Sequence, residues 1–192
     1  SFIHAWNVRP DEWNKSADVN DIIKTFDLNR RVNVGDVDEI WVQALPGFGM
    51  PETQMAGPNA YWCNSGPVPG SNGNRLYIFT FFNYERENNV MIEDWGHRME
   101  SILGFKVYSG WNSVTGNTTF DRWTRIDKYN PGDGAVGNTH YPVNGQSDYD
   151  YANTTMVWST ADDWLKYPNL TGLKQKVACR NWAGPYLNDY HR

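Results

Sequence analysis

The chain has 192 residues, 40% of them hydrophobic, 15% aromatic and 20% charged, with a formal net charge of −5. That aromatic load excludes intrinsic disorder, and an acidic balance with scattered Lys and Arg argues against a nucleic-acid partner, which needs clustered basic residues. The longest apolar run, residues 76–82, contains a Thr and falls far short of the ~20 residues that cross a bilayer, so no membrane span is expected.

No repeat, charge block or break in composition divides the chain, which predicts a single domain over 1–192. Val19, Ile22, Ile23 and Phe26 recur at helical spacing behind Ser16 and Asp18 as candidate caps, so the first helix is expected there. Val37–Leu45 is rich in β-branched and aromatic residues and stops at Pro46-Gly47, a strand signal. Between 46 and 74, Gly and Pro are dense enough to exclude long regular elements. Arg75–Asn83 is apolar on both faces and is expected as the central strand. A helix over about Asn89–Leu103 follows, with Met91, Trp95, Met99 and Ile102 on one stripe expected to bury against the sheet. Turn signals dominate 104–152; a short strand at Thr154–Trp158, a short helix at Ala161–Tyr167 and a last strand at Val177–Arg180 are the remaining elements. The expected fold is α/β, a small mixed sheet flanked by helices with a loop-rich C-terminal half.

The helix over 89–103 carries the most informative chemistry. Glu93, His97 and Glu100 stand at i, i+4 and i+7, within an arc of about 60°. A helical His-x-x-Glu offers two ligands to one divalent ion, and His140, the other internal histidine, is the natural third, as in three-ligand zinc sites. The candidate ligands are thus His97, Glu100 and His140, with Glu93 or Glu52 as general base for metal-assisted hydrolysis. The same residues also suit the solvated face of an ordinary amphipathic helix, or a buried network in which Glu and His pair with Arg86 or Arg98.

Other chemistries stay open. Glu52, Glu85, Glu93 and Glu100 are near enough to the two strands to supply a carboxylate pair for glycoside hydrolysis. Cys63 is a candidate nucleophile beside His97 or His140, unless it bridges Cys179 in a disulfide closing a long loop; the rival reading keeps both thiols buried and reduced. Asp127, Asn130 and Asp133, and Asp148 with Asp150, place hard oxygen ligands at the short spacing calcium prefers, though off the EF-hand pattern. Sequons at Asn14, Asn117, Asn153 and Asn169 would mark surface loops, but a chain with 21 Asn yields roughly two by chance. Tyr and Trp concentrated in the loop-rich half suit a core made without regular structure, or platforms for sugar rings.

Residues 52–65 (ETQMAGPNAYWCNS), 82–86 (FNYER) and 93–101 (EDWGHRMES), with GNTH at 137–140 and Asp162-Asp163-Trp164, resemble a group of uncharacterised secreted or cell-surface microbial proteins. The likeness covers about residues 20–185 and implies a secreted or cell-surface setting, with this region as part of a longer secreted polypeptide; it implies no activity. Three functions follow as expectations: an extracellular metal-dependent hydrolase acting on peptide or glycan, with zinc as its ion and calcium as a further candidate; a non-catalytic carbohydrate-binding module; or a self-assembling surface or filament subunit.

Overall fold

The structure, a computed structural model, describes residues 18–44, 49–83 and 88–183. Ser16, the Asn14 sequon, Leu45, the Pro46-Gly47 turn, Glu85, Arg86, His4 and His191 lie outside the described residues. The fold is α/β: helices with one mixed and one antiparallel sheet. The chain divides between Ser101 and Ile102 into two compact units, each with its own sheet.

The first unit opens with α1 (Val19–Thr25) and α2 (Leu28–Asn33). Asp18 caps α1, its carboxylate accepting from the Asn20 N–H at 2.8 Å. Val19 and Ile23 are buried as the periodicity predicts, while Phe26 falls past the last turn and is exposed. β1 (Glu39–Ala44), β2 (Thr53–Ala56) and β3 (Tyr77–Asn83) form a sheet in the order β1-β3-β2. β3 pairs parallel with β1, Trp41 opposite Thr80, and antiparallel with β2, Thr53 opposite Thr80. A central β3 explains its apolar run on both faces: Tyr77, Phe79 and Phe81 join Val19, Ile23, Leu28 and Val32 in the core, while Ile78, Thr80 and Phe82 alternate to the other face. β2 stands within the stretch dense in Gly and Pro and is short accordingly. It stops at Gly57, whose φ of +93° would place a Cβ 2.1 Å from the Arg75 carbonyl oxygen.

α3 (Asn88–Ser101) packs against β2 and β3 and is tied to β1 by the Arg98–Glu39 ion pair. Its burial corrects the expected stripe. Glu93, Asp94 and Ser101 are buried, whereas Trp95 is 54% and Ile92 52% exposed. Met91, Ile92 and Trp95 do not close on the sheet; with Trp41, Thr80 and Phe82 they line an apolar groove of about 220 Å³.

The second unit opens on a π-helical stretch, Ile102–Val107, followed by α4 (Thr119–Trp123), β4 (Val157–Ser159), α5 (Ala161–Trp164), β5 (Gln175–Val177) and α6 (Arg180–Ala183). β4 and β5 pair antiparallel, Val157 opposite Val177. With so little regular structure, buried polar side chains satisfy the backbone of the loops. Asp121 closes a capping box with Thr118 and accepts from the Asn112 N–H at 2.6 Å. Asp163 accepts from the backbone of Thr171 and Gly172 and from the Thr171 hydroxyl at 2.6 Å. Asn144, with no exposed surface, donates to the Asn153 and Thr155 carbonyls and accepts from the Cys179 N–H. Aromatics contribute less to this core than their number suggests. Phe120 is buried, but Trp111, Tyr129, Trp158 and Tyr167 are exposed.

The expected Cys63–Cys179 disulfide is not formed; both are free and buried. Cys63 lies beside Thr53 of β2, whose Oγ1 donates to the Cys63 carbonyl oxygen at 2.8 Å and stands 3.4 Å from its Sγ, and Cys179 follows β5 in the other unit. Both thiols are buried, and burial pushes both pKa values up. A buried thiol of raised pKa is not the exposed, thiolate-forming group that nucleophilic catalysis requires, so Cys63 has a structural environment.

Candidate metal centre

Helical spacing aligns Glu93, His97 and Glu100 on one face of α3, and the fold adds Glu52, the residue preceding β2. Glu52 is fixed through its backbone, its carbonyl oxygen accepting from the Phe81 N–H at 2.8 Å. His97 is the hub. Its Nδ1 lies 3.2 Å from Glu100 Oε2, and its Nε2 lies 3.8 Å from both Glu52 Oε2 and Glu93 Oε1. The face is not a solvated one: side-chain exposure is 7% at Glu93, 12% at Glu100 and 15% at His97, rising to 40% only at Glu52.

Electrostatics follow from that enclosure. Burial pulls the His97 pKa down, but its hydrogen bond to Glu100 and the charges of Glu100, Glu52 and Glu93 outweigh this, and the net shift is upward. With the proton on Nδ1, the ring donates to Glu100 and turns the Nε2 lone pair towards Glu52 and Glu93. A carboxylate on one ring nitrogen fixing the tautomer, with the other nitrogen facing anionic oxygens, is how ligating histidines are held. Glu93 and His97 belong to a group of ligand atoms that lie within 4.8 Å of one another and could hold a metal ion. Glu100, expected as a ligand, stands on the ring nitrogen opposite Glu93. Glu93, expected as a base, is the more deeply buried of the two carboxylates facing Nε2.

His140, the expected third ligand, belongs to the second unit. Its Nδ1 lies 3.2 Å from Asp148 Oδ1 and its Nε2 2.7 Å from the Tyr149 hydroxyl. The residues weighed for calcium are engaged in loop bonds. Asp127 accepts from the Gly132 N–H, Asp133 pairs with Arg125 and Lys174, and Asp150 accepts from the Gln146 N–H and Asn153 Nδ2.

Sequence reasoning missed Asn64. Its side-chain amide donates to Glu52 Oε2, and its backbone is left-handed at φ +58°. The signal was present in the Asn-Ser-Gly turn of residues 64–66, but nothing local to that turn names Glu52 as its partner.

No protein-family model, curated protein or solved structure matches the chain. Its class therefore rests on fold and site: an α/β chain carrying a half-enclosed cluster of three carboxylates around one imidazole.

Proposed function

We propose that the chain is a secreted or cell-surface metal-dependent hydrolase of peptides or glycans, with its metal held at His97 Nε2 and Glu93. The observation that carries this reading is the division of carboxylates around one ring, Glu100 on Nδ1 and Glu52 with Glu93 on the Nε2 side. Zinc suits the donor set of imidazole and carboxylate. The sequence offers His140 as a candidate third ligand, and a bound ion would supply a water of lowered pKa. Glu52, the most exposed of the carboxylates, is the general base that takes the water's proton.

Metal analysis of purified protein tests this, with wild type beside His97→Ala, Glu93→Gln and His140→Ala. Stoichiometric zinc in the wild type, lost in each variant with circular dichroism unchanged, supports the ligand set. A wild type that neither carries nor takes up zinc sinks it. Retained zinc in His140→Ala alone restricts the ligands to the first unit. Chelator-sensitive cleavage of fluorogenic peptides or of aryl glycosides then separates the substrate classes.

A binding module is the second reading, favoured by the aromatics left at the surface of the second unit. Trp164 and Tyr167 stack with ring centroids 6.1 Å apart and planes 13° apart, and Tyr167 is 58% exposed. A flat exposed ring such as that of Tyr167 can meet the apolar face of a sugar. Retention on a glycan array that disappears in Tyr167→Ala would favour it, and an array without hits would remove it.

A further inference from the structure

We propose that Asn64 is a positioning residue that fixes the Glu52 carboxylate on the Nε2 side of His97; the part this plays in catalysis rests on the metal reading above. Three observations converge on it. First, Asn64 adopts φ +58°, a conformation open to Gly and tolerated by Asn but disfavoured for other residues. Second, that conformation is clamped on both sides. The Cys63 N–H donates to the Ser65 carbonyl at 2.9 Å, Ser65 Oγ donates to the Thr53 carbonyl at 2.7 Å, and Thr53 Oγ1 donates to the Cys63 carbonyl at 2.8 Å. Third, the clamped residue makes two long-range bonds that meet at the site. Its N–H donates to Ser101 Oγ at 3.3 Å, at the end of the helix that carries His97, and its side-chain amide donates to Glu52 Oε2.

The oxygen it holds is the one 3.8 Å from His97 Nε2. A carboxylate with 40% of its side chain exposed satisfies its lone pairs with water and needs no amide for that purpose. What the amide supplies is direction. It removes the rotamer freedom that would let Glu52 swing into solvent, and backbone strain concentrates where a site is being held in one geometry. Ser101 links the same tether to the far end of α3, so the loop, the base and the metal-bearing helix are mutually fixed.

The experiment is a pair of double-mutant cycles with Asn64→Gly and Glu52→Ala. Glycine keeps the left-handed backbone and removes only the amide. The first cycle uses metal-free protein and reads the urea midpoint. The second reads Zn(II) affinity by competition with a chromogenic chelator, together with the visible spectrum of the Co(II)-loaded protein. Asn64→Gly is expected to shift the visible spectrum of the Co(II)-loaded protein, because Glu52 then no longer holds its place beside His97 Nε2, and the shift should vanish in the Glu52→Ala background. Zn(II) affinity should change by less than the about 10–100-fold that follows loss of a ligand's own outer partner, since Glu52 is the base and not a ligand. The urea midpoint should show the same coupling. Additive effects in the metal-free cycle overturn the tether, because Asn64 would then act through something other than Glu52. If the wild type takes up neither Zn(II) nor Co(II), the metal reading fails while the urea cycle still decides whether Asn64 holds Glu52.

Discussion

Buried polar side chains give the second unit its definition at the scale of single residues. Asn144 reaches the backbone at Asn153, Thr155 and Cys179, so Asn144→Ala leaves two carbonyls and an N–H without their partner. A loss of about 2–3 kcal/mol is expected, read as a lower urea midpoint for a probe in that unit. Asp163 and Asp121 are held below the usual carboxylate range. At Asp163 the Thr171 hydroxyl leads, while at Asp121 burial works the other way and is outweighed by the Asn112 and Thr118 bonds. A depressed folded pKa means the stabilisation is present above the unfolded value of ~3.9 and is lost as pH falls through the folded one. Thermal melts should therefore drop below about pH 4, with a shallower slope in Asp163→Asn. At His97 the shift runs upward instead. Its raised pKa makes the proton a stronger competitor for Nε2, so Zn(II) affinity should begin to fall above the unperturbed value of ~6.5 as pH is lowered. Of these residues, His97 with Glu93 and Glu100 was legible from helical spacing. Asn144 was not, because Cys179 stands 35 positions away and no local pattern pairs them.

Among the elements, β3 and α3 carry the fold of the first unit. Phe79 has no exposed surface and stacks on Phe81 at 5.6 Å in the face that covers α1 and α2. Phe79→Ala should cost about 3–5 kcal/mol in chemical denaturation. Trp95→Ala should cost only about 1 kcal/mol, since half its surface already meets water. Equal losses at the two positions would show that the groove beside Trp95 closes in solution. β3 was legible because a run apolar on both faces belongs in the middle of a sheet. The orientation of α3 was not: the apolar stripe predicted the buried side, yet Glu93 and Asp94 are buried and Trp95 stands at the rim of a groove. Hydrophobic periodicity assigns a face to the interior only when polar groups on the other face lack partners there. Here His97 and the carboxylates around it partner one another.

For the molecule as a whole, both cysteines are buried and free, one in each unit. Thiol titration in denaturant without reductant should find both cysteines free, and titration of the folded chain should find almost none reactive. One thiol or none in denaturant would show that the bridge forms after all. The division at Ser101 carries no signal in composition, since α3 runs directly into the π-helical stretch without a Gly- or Pro-rich spacer. Local pattern in the sequence was sufficient for the α/β class, the central strand and the shared face of Glu93, His97 and Glu100. These follow from spacings of two to seven residues, over which backbone geometry alone sets direction. Tertiary structure decided which carboxylate meets which ring nitrogen, brought Glu52 and Asn64 to His97, and kept Cys63 and Cys179 unbridged. Those outcomes depend on contacts between residues that are distant in the chain, whose partners are chosen by burial and hydrogen-bond satisfaction rather than by neighbouring sequence.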